Sequence, residues 1–308
     1  MDLDEREIIL SVCCVTYNHE KFITQCLEGF VSQKTNYCFE ILVHDDASTD
    51  NTAEIVKKYE RNYPNLFKCV YQVENQFLKQ NVLTNILFKM AKGKFIALCE
   101  GDDFWIDPNK IQKQVDFLLA NPSYSSCYHS AKVVNSDGDL ISSGRRSNYK
   151  SFTDDELISG KGELMTLTVM FRNQIELIED FEKVKNGDTA IWHMLGYIGH
   201  AKFIEDISPA AYRVHEKGSW NGVSEFDRLA NGISTYKIIL KNLHKTNKDT
   251  GFIYQRLADM LNKFMIKQIA ERNIKSYFKG VVLLLSEESI KKNLLIKVHF
   301  KSIFSRFI

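Results

Sequence analysis

Residues 8–17 form an apolar, largely β-branched run that stops at Tyr17-Asn18-His19-Glu20, after which Phe22, Ile23, Cys26, Leu27 and Phe30 recur at helical spacing. The pattern predicts strand, loop, helix. It then repeats. Residues 39–44 read as a second strand, and the polar stretch Asp45 to Asn51 leads into a helix over about 52–59. A third short strand is expected at 67–71, a helix at 82–91 ended by Gly93, and a fourth strand at 95–99. Asp107-Pro108 starts a further helix to residue 120, with Asp107 as its cap and Pro108 in the first turn. Strands alternating with helices imply right-handed crossovers and a parallel sheet covered on both faces. Beyond residue 120 the periodicity loosens. Strands are expected at 125–134, 164–171, 201–207 and 210–214, a polar loop at 141–153, and a helix at 189–198. From Ser224 onward only helical patterning remains. The expected organisation is an α/β domain over 1–223 and a helical extension over 224–308.

Charge sharpens that division. The chain of 308 residues has a net charge of only +1. Residues 224–308 nevertheless carry 16 Lys+Arg against 7 Asp+Glu, a net of +9, and the preceding part 24 against 32, a net of −8. The near-neutral balance gives no reason to expect a nucleic-acid partner. In the last 18 residues Ile296, Phe300, Ile303, Phe304 and Phe307 form a helical stripe beside Lys291, Lys292, Lys297, Lys301 and Arg306, with no acid. Such an end suits either the anionic inner surface of a cell membrane or docking on the domain with its basic face in water. Seven cysteines include no C-x-x-C pair, which excludes the common zinc spacings and reads as small apolar fillers in a reducing compartment. No apolar run approaches the roughly 20 residues of a spanning helix. A cytoplasmic protein, peripheral on the membrane at most, is the expectation.

The chemistry concentrates where strands end. In open α/β sheets ligands bind at the carboxyl ends of the strands. Three such ends carry polar groups: Thr16, Tyr17 and Asn18 after the first strand, Asp45 and Asp46 after the second, and Glu100, Asp102 and Asp103 after the fourth. Thr, Asn and Asp are also ordinary turn and cap residues, so their convergence carries the inference and no single position does. Three carboxylates at one strand end repel one another unless a cation relieves them, and Mn²⁺ or Mg²⁺ would do so while leaving positions open for phosphate oxygens. No glycine-rich phosphate loop is present, which excludes the common dinucleotide and P-loop patterns.

Taken together, Thr16-Tyr17-Asn18, the stretch from Asp45 to Thr52, the stretch from Gly93 to Trp105, and Tyr212-Arg213-Val214-His215 resemble family 2 glycosyltransferases with the GT-A fold, a Rossmann-like, mainly parallel sheet flanked by helices. The similarity covers about residues 8–221. It implies a nucleotide-sugar donor, usually a UDP sugar, a divalent metal, and inverting single displacement onto a hydroxyl of a saccharide or lipid-linked acceptor in surface polysaccharide or glycolipid assembly. Carried over by position, Thr16, Tyr17 and Asp45 line base and ribose with Asn18 and Asp46 nearby. Glu100 and Asp102 take the places of the family's D-x-D, with Asp103 following. The first acid is here the longer Glu, which makes Asp102 the direct metal ligand and Glu100 a ribose or water-mediated contact. The family often places a histidine where His215 stands, on the metal or the diphosphate. Arg172 falls where donor sugar or acceptor is contacted, and Trp105 and Trp220 are placed to stack on sugar rings if they line the cleft.

An acceptor hydroxyl needs a general base. Glu179, Asp180, Asp188, Glu205 and Asp206 lie in the right part of the chain. The family's base is an Asp at a helix start before a strand and the final histidine, and Asp188 fits that description. A metal-dependent phosphotransferase is disfavoured, because a nucleophilic Asp would want an acid two positions on, where Ala47 and Ser48 stand. The other alternative is a catalytically inactive member that binds nucleotide-sugar or scaffolds a complex.

Overall fold

The computed structural model describes residues 7–76, 82–143, 150–216, 218, 223–246 and 248–285. Their contacts divide into two units. The first comprises residues up to 158 together with 163–176 and 194–215.

Its centre is a sheet of seven strands in the order β3-β2-β1-β4-β8-β5-β9. β1 (Leu10–Thr16), β2 (Phe39–Asp45), β3 (Phe67–Tyr71) and β4 (Phe95–Leu98) run parallel to one another. β1 and β2 are buried almost throughout, which explains runs without polar alternation. Helix α1 (Ile23–Val31) lays Ile23, Cys26, Leu27 and Phe30 on the sheet, the one face that a spacing of three and four residues provides. α2 (Thr52–Asn62) buries Thr52, Val56 and Tyr59 in the same way. The expected helix at 82–91 is a π-helical turn, Leu83–Leu87, running into a short α3 (Phe88–Met90).

α4 (Lys110–Ala120) begins two residues later than the Pro108 start expected from sequence. Asp107 does not cap it in the usual sense: its carboxylate accepts from the Asn109 N–H (2.8 Å) and from the Ser208 N–H (2.9 Å), fastening the helix start to the segment before the last strand. The strand expected at 125–134 is two strands, β5 (Tyr124–Tyr128) and β6 (Ala131–Val134), parted at His129-Ser130 and placed in different sheets. β6 sits between β7 (Leu140–Ser142) and β10 (Ala210–Arg213) in a three-stranded sheet. α5 (Asp154–Ile158), β8 (Met170–Arg172) and β9 (His200–Phe203) complete this unit.

β8 departs from the expectation that matters most for the site. It runs antiparallel to β4, pairing Arg172 with Phe95 and Met170 with Ala97. Its carboxyl end therefore lies at the amino edge of β4, away from the acidic segment.

The second unit contains 159–162, 177–193 and the residues from 216 on. It thus begins earlier than the Val223 cut expected from charge, because residues 185 and 186 hydrogen-bond Thr235 of α7 (Glu225–Lys245) and Gly160 sits against Tyr236 and Ile253. The start of α6 (Gly187–Gly196), α8 (Gly251–Ala270) and α9 (Ile274–Leu285) belong here. Leu229, Ile233, Tyr236 and Leu240 of α7 and Leu257, Leu261 and Phe264 of α8 are buried, the amphipathic pattern that pairs helices.

Candidate functional site

Pairing in register brings the ends of β1, β2 and β4 to one edge: Thr16 lies opposite Asp45, and Cys13 opposite Leu98. Backbone bonds continue past the strands, with the Asp46 N–H donating to Thr16 O and the Gly101 N–H to Val15 O, both at 2.9 Å. Gly101 permits that approach, since a Cβ there would stand 2.6 Å from Thr16 Oγ1. Asn18 and Ala47 both adopt left-handed backbone, φ 54° and 63°, as the chain turns off each strand. The two turns are clasped. The Asn18 N–H donates to Ser48 Oγ, Asn18 Oδ1 accepts from the Thr49 N–H, the His19 N–H donates to Thr52 Oγ1 and the Glu20 N–H to Asp50 Oδ2.

At this edge His19, Asp102 and His215 offer ligand atoms that all lie within 4.8 Å of one another. Asp102 Oδ2 is 2.9 Å from His215 Nε2 and 3.7 Å from His19 Nε2. His19 Nδ1 is 3.2 Å from Thr16 Oγ1, and the ring of His215 rests against Phe22, their centres 4.6 Å apart. Two imidazoles and one carboxylate suit a divalent transition ion such as Mn²⁺ better than Mg²⁺, which prefers oxygen throughout.

Arg213 holds β10 to the acidic segment. Phe104 and Ala211 form an antiparallel bridge, the Arg213 N–H donates to Asp103 Oδ1 (2.8 Å), and the Arg213 guanidinium donates to Asp102 O (2.9 Å), Ser136 O and Gln25 Oε1. The guanidinium lies between the rings of Phe22 and Phe104, 4.8 and 5.2 Å from their centres. His215 follows two residues on.

Neighbouring carboxyls are held differently. Burial pushes Asp102 up, but the hydrogen bond from His215 and the nearby His19 more than offset it, and the group stays below its ordinary range. Burial, then the charges of Asp102 and Glu100, push Asp103 well above the usual range. Burial lowers His19 despite the pull of Asp102, favouring the neutral imidazole that binds metals.

The other residues expected at the site divide. Asp45 is buried and accepts from the Ser48 N–H through Oδ2 (3.1 Å), while its buried Oδ1 has no hydrogen-bond partner among the described residues. Asp46 Oδ1 accepts from the Gln76 N–H (2.7 Å). Tyr17 is exposed and Glu100 half-buried at the same edge. Asp188 stands in the first turn of α6 as expected, its Oδ1 accepting from the Thr189 N–H, and it belongs to the second unit. Glu179 and Asp180 form a surface cluster with Lys241 and Lys245. Trp220 lies outside the described residues.

Two expectations are corrected. Trp105 is a core residue: it is 4% exposed, its indole N–H donates to Leu167 O (2.8 Å), and its ring meets Phe30 and the Lys110 ammonium. No face is open for a sugar. Arg172 gives its guanidinium to the carbonyls of Leu118, Asn121 and Tyr124 at the opposite edge of the sheet, a consequence of the reversed direction of β8. His19 and Arg213 carried no assigned role in the sequence reading. A titratable residue just after β1 is the signal for His19. For Arg213 the signal is weaker, since only folding shows a strand-end arginine closing on the acidic segment.

Residues 11–173, just over half of the chain, match the model of "Glycosyl transferase family 2". Uncharacterized protein Rv1520 of Mycobacterium tuberculosis is 30% identical over 212 residues, 69% of this chain and 60% of its own length. Poly(ribitol-phosphate) β-N-acetylglucosaminyltransferase TarS of Staphylococcus aureus is 28% identical over 268 residues, 82% of this chain and 44% of that protein. The chain therefore spans about 60% or less of the length of these relatives. Among solved structures, TarS residues 1–349 with UDP-GlcNAc superposes with a TM-score of 0.65 at 20% identity, covering 96% of this chain and 88% of that one. The mannosyltransferase PcManGT of Pyrobaculum calidifontis, in complex with GDP-Man and Mn²⁺, gives 0.51 at 15% identity, with 98% and 89% covered. These likenesses establish the GT-A architecture.

Proposed function

Because the chain belongs to glycosyl transferase family 2, we propose that it transfers a sugar from a nucleoside diphosphate sugar, a UDP sugar first among them, to a hydroxyl of a saccharide or lipid-linked acceptor. The observation that carries this reading is the His19, Asp102 and His215 cluster at the strand edge that also presents Thr16, Asp45 and Asp46. The unpartnered Oδ1 of Asp45 is suited to accept an N–H from a base, and exposed Tyr17 to cover it. Asp102, His215 and His19 would hold Mn²⁺ or Mg²⁺, with Mn²⁺ favoured by the imidazoles, and Glu100 would reach ribose or a bound water. When bound, the ion offsets the charge of the departing diphosphate.

Inversion follows from a single displacement. The acceptor oxygen bonds to the anomeric carbon on the face opposite the diphosphate, its proton passes to the Asp188 carboxylate, and the bond to the diphosphate breaks with its electron pair leaving on that group. Arg213 keeps Asp102 and Asp103 in place, its guanidinium donating to the Asp102 carbonyl and its N–H to the Asp103 carboxylate. Surface polysaccharide or glycolipid assembly at the cytoplasmic membrane face is the setting in which a lipid-linked acceptor would be met. Among the described residues no helix is long and apolar enough to cross a membrane.

Thermal stability against a panel of nucleoside diphosphates, each with and without Mn²⁺, tests the reading, because a ligand that binds only the folded state raises the midpoint. A shift with one diphosphate is expected to require Mn²⁺ and to vanish in Asp102→Ala. A folded protein that shifts with none of them would instead fit an inactive scaffold.

A further inference from the structure

The last described helix turns Ile274, Phe278 and Val282 away from its packing partner. α9 docks on α8 through Gly280, where an added Cβ would come within 3.1 Å of the Phe264 ring and 3.3 Å of Met265 Cγ. Ile274, Phe278 and Val282 are 70%, 60% and 65% exposed. At 100° per residue this i, i+4, i+8 set forms a stripe about 80° wide, roughly opposite Gly280. Arg272, Lys275 and Lys279 are exposed beside it, and no Asp or Glu occurs between Arg272 and Ser286. Residues 289–308, outside the described residues, again contain no acid and have five basic side chains.

We propose that α9 is an interfacial anchor that lies on an anionic lipid bilayer, with Ile274, Phe278 and Val282 among the upper acyl segments and Arg272, Lys275 and Lys279 at the headgroup phosphates. Charge decides between occupants. A second copy packed on this stripe would set two groups of cations against each other, whereas an anionic surface turns the same cations into an attraction. Interfacial binding needs no spanning length, so a helix of 12 residues suffices. The anchor is independent of the metal and nucleotide site.

Co-sedimentation of the full chain with phosphatidylglycerol-containing vesicles, and with phosphatidylcholine vesicles, tests it. The parent should bind the anionic vesicles and weaken as salt rises. Replacing all three stripe residues (Ile274→Ser, Phe278→Ser, Val282→Ser) should reduce binding about tenfold with little change in thermal midpoint. The pair Lys275→Glu and Lys279→Glu, which keeps the stripe, should lose the preference for anionic lipid. Asp102→Ala should bind vesicles as the parent does, so that failure of the anchor and failure of the nucleotide site are told apart. A parent that stays in solution overturns the proposal. So does a triple variant that binds undiminished, since residues 286–308 or another surface would then hold the lipid. A parent that self-associates without binding vesicles, and is monomeric as the triple variant, would show that a second copy covers the stripe.

Discussion

His19 and His215 approach Asp102 from different parts of the chain and are held by different means. His215 is fixed by packing on Phe22 and by its 2.9 Å contact with Asp102, whereas His19 is fixed by its own turn, through Thr16 Oγ1 and the N–H bond to Thr52. If His19 is a third ligand, His19→Ala should weaken Mn²⁺ binding by on the order of 10–100-fold while leaving the fold intact, as calorimetric titration with Mn²⁺ would read; unchanged affinity would remove His19 from the set. Lys110 is a second residue whose chemistry only the folded chain reveals. It is fully buried, its ammonium donating to Gln114 and lying 4.3 Å from the Trp105 ring centre, and burial pulls it from an ordinary 10.5 to about 7. Between those values the unfolded chain holds a proton that the folded chain does not. Stability therefore falls as pH drops through that window and levels below it. Lys110→Met should stabilise by about 1 kcal/mol near pH 7 and by less near pH 10, which thermal melts of both proteins at the two pH values would show. An equal gain at both would mean that the charge is not the cause.

At the scale of elements, the strands β1, β2 and β4 are legible because burial on both faces leaves mainly apolar runs, and the polar residues at their ends, acids for β2 and β4, mark the ligand edge. The direction of β8 is not legible. An apolar run has no sense of travel, so the antiparallel course that carries Arg172, expected from the resemblance at donor sugar or acceptor, to the opposite edge appears only in the fold. The break at His129-Ser130 is hidden for a similar reason, as β5 and β6 form one continuous stretch of strand-like sequence although they serve two sheets. Trp105 shows the converse difficulty. Its neighbours in sequence are acids at the ligand edge, but the chain turns inward after Asp103 and the indole anchors that turn to Leu167 and Phe30. Trp105→Ala should accordingly cost about 3–5 kcal/mol of stability, read by chemical denaturation. A stable variant with an altered preference among sugars would return Trp105 to the binding surface.

Over the whole chain, charge and helical patterning announce the helical extension, but the contacts that define the second unit start earlier and take in residues 177–193. Asp188 therefore sits with the helical extension in contact terms, although its position in the sequence groups it with the strand-end acids. On the proposed mechanism Asp188→Asn should leave the Mn²⁺-dependent nucleotide shift intact and reduce transfer by about 10²–10⁴-fold, as turnover of donor in the presence of acceptor would show; transfer at the parent rate would refute its role as base.

The clasp between the turns after β1 and β2 gives the proposed site a floor that is in place before any ligand arrives. One turn bears His19 and the other follows Asp45, and bonds from Asn18, His19 and Glu20 to Ser48, Thr49, Asp50 and Thr52 make them a single ordered piece. Turns already held by their own bonds have little freedom left to lose, so on the proposed reading neither cation nor nucleotide bears a large ordering cost when it binds.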